Sequence, residues 1–403
     1  MVRVATAAVV LFLAAAPAGT AAAAGVAHKG VRYEGELGVG FVSTDCPELG
    51  RAGLAILSCE EQRPDYAGLV SSHSRLAWAP WIDLELSLDE RLRLVAPRSH
   101  GALSSLDSVT DLQVRLQLPR LLGLESNLTI GFLFAPHFEP DVRWQRWTSS
   151  PHFVLVVVAP NGLLIELSEE LPRTRFATDF PKNSYALIDS RGGRGLLRLK
   201  RWFAPWLRLG LSGDLGYTLW LGPVDDLLAD LVDLGELKRF DSNYGLEGEV
   251  AIRPVPALVL SISFRSEWNG SNVPLFRHYA YGPAAGAAYS GGGHTLAVSV
   301  RWLYYRFPDA VVAPQYFTNV REDHHLEAHL RWRVDLSDRW SAELSYSYVG
   351  NDSSDARVLD AVCARPEFRG CADLGDRGEA LAAITSFSRY AQSVLEAQLF
   401  FHW

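Results

Sequence analysis

Charged side chains recur at every second position along several stretches of this 403-residue chain. Residues two apart share one face of a β-strand, so Glu247 lies beside Glu249 and Arg331 beside Arg333. Fixed charges of both signs around a water-filled passage would orient and filter small solutes through their local field. The residues expected to line such an interior are Arg198, Arg208, Arg253, Arg265, Arg301, Arg331, Arg333, Glu247, Glu249 and Glu327.

The same charges have a second interpretation. Glu247, Glu249, Arg253 and Arg265 lie on adjacent predicted strands. They could therefore pair with one another in a network of ion pairs that fills a narrower barrel. The residue pattern leaves a conducting bore and a filled interior equally open.

Other chemistry has less support in the residues. His325, Glu327 and His329 would point the same way on a strand, but no further metal ligand is identifiable beside them. A serine hydrolase needs a histidine base next to its nucleophile, and no such set is legible. No phosphate-binding glycine loop or dinucleotide fingerprint is found. We therefore expect no enzyme, no metal and no cofactor.

Composition narrows the class of protein. The formal net charge is -8, which argues against nucleic acid as a partner because phosphate binding needs a concentrated basic face. The chain is 48% hydrophobic, yet beyond its N-terminal leader the longest unbroken apolar run is Phe153 to Ala159. A membrane helix needs about 18 such residues. The chain is thus a large β protein, and its apolar residues must cover a core or face lipid.

Alternation of apolar and polar residues dominates the chain. It runs through residues 31–41, 76–88, 326–336 and 340–348. Period two over such lengths predicts strands that are apolar on one face and polar on the other. Strands of this length can cross a bilayer.

Connections between the predicted strands alternate between short and long. Short turns are predicted at 89–90, 119–124, 160–162, 204–205, 253–256, 291–293 and 337–338. Longer polar connections are predicted near 43–73, 98–106, 135–151, 171–183, 221–242, 269–277, 308–321 and 351–385. This division gives about sixteen strands, an even number that leaves both termini on one side. About fourteen is the alternative, because the segments near 91–97 and 278–290 are the weakest.

The chain ends on an alternating strand. Leu399, Phe401 and Trp403 share one face, while Gln398 and His402 share the other. A terminal aromatic residue preceded by alternating apolar residues resembles the assembly signal of bacterial outer-membrane β-barrels. The resemblance implies an all-β, transmembrane, antiparallel up-and-down barrel with short periplasmic turns and long extracellular loops. It also implies that Leu399, Phe401 and Trp403 are assembly residues, with the barrel-assembly machinery and the outer-membrane lipid bilayer as partners.

The N-terminal region and the cysteines agree with export. Residues 1–24 carry a short basic start, an apolar core and a small-residue end, which predicts a signal peptide, followed by a single barrel domain at 25–403. No room remains for an N-terminal plug before the first predicted strand. The four cysteines form two short-range pairs, Cys46 with Cys59 and Cys363 with Cys371, which predicts two disulfides in long loops.

These features favour a porin-like channel of the Gram-negative outer membrane that lets small polar solutes diffuse passively. The connection at 135–151 is the third long one, and the third loop of general porins folds into the bore, so Glu139 and Asp141 are candidate constriction acids. A homo-oligomer is compatible with this class, although no interface is legible. Rival readings are an uptake channel for hydrophobic substrates and a closed barrel with a structural or adhesive role.

Overall fold

A computed structural model describes eleven segments of the chain. They are residues 30–44, 65–81, 83–97, 105–121, 123–138, 145–177, 189–223, 238–272, 276–308, 321–354 and 390–403. The predicted signal peptide, the four cysteines, Glu139 and Asp141 lie outside these described residues. Within the segments, no helix is long and apolar enough to cross a membrane.

The described segments form seventeen antiparallel strands. Their bounds are β1 Gly30–Thr44, β2 Asp65–Trp81, β3 Leu84–Pro97, β4 Ser105–Leu121, β5 Leu124–Phe138, β6 Arg146–Val158, β7 Leu163–Glu170, β8 Arg173–Phe176, β9 Ser190–Ala204, β10 Leu207–Pro223, β11 Lys238–Val255, β12 Leu258–Ser271, β13 His278–Gly291, β14 His294–Phe307, β15 Arg321–Ser337, β16 Trp340–Ser353 and β17 Tyr390–His402.

The sheet closes on itself. Apart from β7 and β8, which each pair with β6 and β9, every strand pairs with its neighbours in chain order, and β1 pairs with both β2 and β17. Closure lets the backbone N–H and C=O groups of the first and last strands hydrogen-bond to each other. A sheet inside a bilayer needs this, because no water is present there to bond to a free edge. Because β7 and β8 both lie between β6 and β9, the seventeen strands fill sixteen positions of the barrel wall. The predicted sixteen-stranded up-and-down barrel is confirmed, and the alternative of fourteen strands is wrong.

Pro172 divides the position shared by β7 and β8. Proline has no backbone N–H and cannot donate to a neighbouring strand. The hydrogen bonds around it continue nonetheless, since the Leu171 N–H donates to the Pro151 carbonyl (2.9 Å) and the Gly192 N–H donates to the Pro172 carbonyl (2.8 Å). Pro172 therefore separates β7 from β8, while the hydrogen bonding to the strands on either side continues.

The two faces of the wall differ in the way the alternation predicted. On β12, Leu260, Ile262 and Phe264 are exposed on the outer surface. Ser263 and Arg265, at the alternate positions, are more enclosed. Large apolar side chains are exposed in the same manner around the rest of the described wall. An apolar exterior on a closed antiparallel barrel with an even number of wall positions is the architecture of bacterial outer-membrane barrels. The apolar band lies in the outer membrane.

Several short turns fall where the sequence predicted them. Gly162 (φ 76°), Gly292 (φ 61°) and Gly293 (φ 76°) occupy the left-handed region, which a residue without Cβ enters at no steric cost. The Asn161 side chain accepts from the Leu163 N–H at 3.1 Å and closes one of these turns. The segments near 91–97 and 278–290, the weakest in the prediction, belong to β3 and β13.

One predicted turn was wrong and another was missed. The stretch 76–88 was predicted as one strand, but the chain reverses at 82–83, where Trp81 pairs with Leu84. Asp89 and Glu90 were predicted as a turn, but they lie inside β3 and pair with Arg75 and Ser74. The predicted connections at 43–73 and 135–151 were also too long, because β2 already begins at Asp65 and β6 at Arg146.

Side-chain partners explain the misplaced turn. The Asp89 carboxylate accepts from the ring nitrogen of His73 (2.8 Å) and from Arg91 Nε (3.0 Å) on the inner face. Asp89 therefore occupies an ion-paired position inside a strand rather than a solvated turn. The real turn, between Trp81 and Leu84, contains Asp83 and follows Pro80, and both are turn-forming residue types, so a signal was present and was missed.

The C-terminal strand closes the barrel against β1. Phe401 lies opposite Leu37 and packs its ring 5.1 Å from that of Trp340. The Trp403 N–H donates to the Gly35 carbonyl (3.1 Å), and the Gly35 N–H donates to the Trp403 carbonyl (3.3 Å). A Cβ at position 35 would overlap the Trp403 indole, so glycine leaves the space that this ring occupies. The final aromatic is thus built into the closing seam.

Candidate functional site

The ten predicted lining residues lie on the inner face of the barrel. Their positions alternate with exposed apolar residues, as Arg265 does with Phe264 and Arg301 does with Val300. The strand register brings several of them into direct opposition, including Glu247 with Arg265 and Arg301 with Glu327. The interior is therefore the candidate functional site, and two parts of its wall differ, on either side of the intervening strands β5 to β8.

One part, formed by β9 to β14 and called here the packed wall, is held by largely buried ion pairs. Arg265 is its centre, with guanidinium nitrogens 2.9 Å from Asp214, 2.9 Å from Glu267 and 3.8 Å from Glu247. Arg301 approaches Glu247 at 3.6 Å from the other side. A guanidinium presents several donors in one plane, which suits it to hold more than one carboxylate.

The packed wall continues through β9 to β11. Glu249 receives Lys200 at 3.4 Å and a second contact from Arg208. Arg198 reaches the neighbouring β7, where its Nη1 donates to both carboxylate oxygens of Glu166 at 3.0 and 3.1 Å. Arg253 lies with its guanidinium 4.3 Å from the centroid of the Trp202 ring, a cation–π contact. On this wall the network of ion pairs anticipated as the second interpretation is present.

His325 and Glu327 form a buried pair on β15. The ring Nε2 of His325 lies 2.9 Å from Glu327 Oε1, and both side chains are almost fully enclosed. Asp323, Asn351 and Ser353 are buried nearby on the inner faces of β15 and β16. Within the described segments, no group of three or more His, Cys, Asp or Glu side chains could hold a metal ion.

A second part of the interior, formed by β15 to β17 and β1 to β4, is called here the arginine wall. Arg331 pairs with Glu343 at 2.8 Å and Arg333 with Glu36 at 3.4 Å. Further pairs, missed by the sequence analysis, join Arg32 and Arg75 to Glu85, Arg91 to Asp89, and Arg93 to Glu396. Period two at Asp89, Arg91 and Arg93 was the signal, and the misplaced turn at 89–90 hid it.

Four side chains meet where β15, β16, β17 and β1 adjoin. The Ser341 hydroxyl lies 2.9 Å from His402 Nε2, and His402 Nδ1 lies 3.5 Å from Glu36. Arg333 donates toward the same Nε2 at 3.2 Å. An imidazole protonated at Nδ1 can accept both contacts at Nε2 while it faces Glu36, which is the order of a serine, histidine and acid triad.

Burial decides what this set does. Ser341 is 1% exposed, so no substrate carbonyl can approach its hydroxyl within the geometry described. The set instead joins the last strand, which carries His402, to the first, which carries Glu36, and to the adjoining strand of Ser341. We assign it to barrel closure rather than to catalysis.

Comparisons with known proteins return fold-level likeness only. No protein-family model and no curated protein matches the chain. The structure resembles outer-membrane expressed OmpT of Vibrio cholerae at 9% identity, covering 93% of this chain and 97% of that one, with a TM-score of 0.48. It also resembles a bacterial polysaccharide outer membrane secretin (10% identity, 92% and 98% covered, TM-score 0.46) and the siderophore receptor PirA from Acinetobacter baumannii (10%, 80% and 54%, 0.41).

Proposed function

We propose that the protein is a passive, porin-like channel of the outer membrane for small polar solutes. The observation that carries the proposal is the exposure of charged side chains on the inner face of the arginine wall, deep within the strands. Arg91 lies near the middle of β3 and Arg331 well inside β15, yet both guanidiniums remain open to solvent. A filled interior would have enclosed them, and a barrel of about sixteen strands is wide enough for an aqueous bore.

The two rival functions fit the interior less well. An uptake channel for hydrophobic substrates needs an apolar lining, whereas the described inner faces carry ion pairs and hydroxyls on both walls. A closed structural or adhesive barrel needs every interior charge to be enclosed. The charges of the packed wall are enclosed, but those of the arginine wall are not. The arginine wall therefore favours conduction over both.

The proposal also extends to parts of the chain outside the described residues. Residues 1–24 would be removed on export and residues 25–403 would form one barrel domain. The cysteine pairs would close loops by disulfides in the oxidising periplasm, and Glu139 and Asp141 would approach the bore from their loop. Small solutes, and a second copy of the chain, are the partners that this function suggests.

Electrical recording and solute uptake test the proposal together. Purified, refolded protein in a planar bilayer should produce stepwise conductance, and proteoliposomes should swell in small neutral sugars at rates that fall as the sugar grows. Neutral sugars are used because their permeation does not depend on the charges of the bore. Liposomes that contain heat-unfolded protein give the background. A correctly folded preparation that shows neither conductance at any voltage nor swelling would refute the channel.

A further inference from the structure

We propose that the bore selects small anions that carry carboxylate or phosphate groups, although the chain itself has a formal net charge of -8. This inference rests on the proposed channel function and names its substrate class. It is carried by an asymmetry in how the two partners of five arginine–carboxylate pairs on the arginine wall are exposed. The pair of Arg333 with Glu36, at 27% and 25%, is the exception.

In these pairs the guanidinium faces the water and the carboxylate lies behind it. The side chain of Arg91 is 63% exposed and that of its partner Asp89 is 16% exposed. For Arg331 and Glu343 the values are 60% and 11%. Arg32 at 63% and Arg75 at 43% both contact Glu85, which is only 4% exposed. A solute in the bore therefore meets positive charge first.

The geometry of the side chains explains this asymmetry. An arginine side chain is longer than that of aspartate or glutamate, so where the two meet on the inner face it lies over the carboxylate and carries its charged end toward the centre of the bore. Arg93 and Glu396 repeat the arrangement across β3 and β17. Arg115 on β4 is exposed on the inner face, and it makes no ion pair among the described residues.

The exposed guanidiniums lie on one side of the barrel. They come from β15, β1, β2, β3 and β4, and the strands between β15 and β1, which are β16 and β17, contribute acidic partners and no arginine. Among the described inner-face residues of these strands, the exposed carboxylates are Glu34 and Asp335, towards the periplasmic ends, and Asp107, whose side chain is 37% exposed near the opposite end of β4. At mid-depth the accessible charge of this wall is positive.

The packed wall does not offset that field. Arg265, Arg301 and their acidic partners are all largely buried, and opposite charges within about 4 Å of one another nearly cancel at the distance of the bore axis. A guanidinium also binds carboxylate and phosphate through two parallel hydrogen bonds, which a potassium ion cannot imitate. The wall thus combines a positive field with donors of the right geometry.

Reversal potential in a salt gradient tests the inference. In potassium chloride the wild-type channel should pass chloride about tenfold more readily than potassium, the low end of what a charged cleft achieves because salt screens the field. Gradients of potassium acetate and potassium phosphate should give reversal potentials of the same sign as potassium chloride. The larger of these two reversal potentials identifies the group, carboxylate or phosphate, that the bore prefers. The triple variant Arg91→Gln, Arg93→Gln, Arg331→Gln should bring the chloride to potassium ratio close to one.

Two controls keep selectivity distinct from folding and from conduction. Arg201→Gln removes the same charge from the outer face, where Arg201 lies beside Phe203, and should leave the ratio unchanged. Glu34→Gln removes an exposed negative charge from the inner face and should raise the chloride to potassium ratio. A conducting wild-type channel that prefers potassium, or a triple variant that keeps the wild-type ratio, would overturn the anion preference while leaving the channel in place. Absence of any conductance would instead refute the proposed function.

Discussion

Replacing Arg265 by alanine should lower the free energy of unfolding by about 3–5 kcal/mol, the cost of leaving enclosed carboxylates without their counter-ion. Arg265 contacts Asp214 and Glu267 at 2.9 Å and Glu247 at 3.8 Å, and all four side chains are largely enclosed. After the substitution, only Glu247 keeps a described basic neighbour, Arg301. Urea unfolding in lipid vesicles, followed by tryptophan fluorescence and by the gel mobility of the folded barrel, measures the change.

Arg331→Ala is the matched control for that experiment. Arg331 also faces the interior and also forms an ion pair, with Glu343 at 2.8 Å, but its guanidinium is largely exposed. Exposed pairs contribute about 0–1 kcal/mol, so the control should unfold nearly as the wild type does. If both variants lose the same free energy, the division of the interior into a packed wall and an arginine wall is wrong.

Removing the terminal aromatics should have the second large effect, on assembly rather than on stability. We expect the double variant Phe401→Ala, Trp403→Ala to lose most of its folded protein from the outer membrane of cells. Both rings lie on the outer surface, and Phe401 packs at 5.1 Å from Trp340 and 6.2 Å from Trp403. Aromatic pairs contribute only about 0.5–1.5 kcal/mol each, so the folded barrel itself tolerates the change. Quantitative immunoblotting of outer-membrane fractions gives the result.

Two comparisons separate an assembly signal from a packing contact. Purified double variant should refold into detergent micelles nearly as well as the wild type, because no machinery is needed there. Trp340→Ala removes the ring that faces Phe401 from an internal strand and should leave cellular assembly nearly intact. Equal losses in cells for Trp340→Ala and the double variant would show that packing, and not recognition of the terminus, limits assembly.

The fold follows from the sequence to a large extent because a barrel wall imposes period two on every strand. Apolar residues such as Ile262 and Phe264 must face lipid, and charged residues such as Arg265 must then face inward. The glycine turns at Gly162 and Gly293 fix several reversals. Together with the closing strand that ends on Trp403, these signals predict how many positions the wall has and which residues face the interior.

The organisation of the interior could not be read in the same way. Which carboxylate a guanidinium meets depends on the register between strands, and a pair such as Arg93 with Glu396 joins distant parts of the chain. The exposure of Arg91 above Asp89 depends on side-chain length and on the curvature of the wall. The contact of Ser341 with His402 exists only because the last strands close on the first. The missed turn between Trp81 and Leu84 shows a further limit, since its turn residues Pro80 and Asp83 lie within a longer apolar and polar alternation that continues on both sides.

The most direct test of the central claim is the accessibility of consecutive residues on one strand to a charged, membrane-impermeant maleimide. Four variants, Ser261→Cys, Ile262→Cys, Ser263→Cys and Phe264→Cys, are compared in proteoliposomes, with the labelling of the parent protein subtracted. Ile262 is 68% and Phe264 54% exposed in the barrel alone, so only lipid can protect those positions. The expected result is labelling at 261 and 263 and none at 262 and 264. Labelling at 262 and 264, or protection at 261 and 263, would contradict an apolar exterior around a water-filled bore.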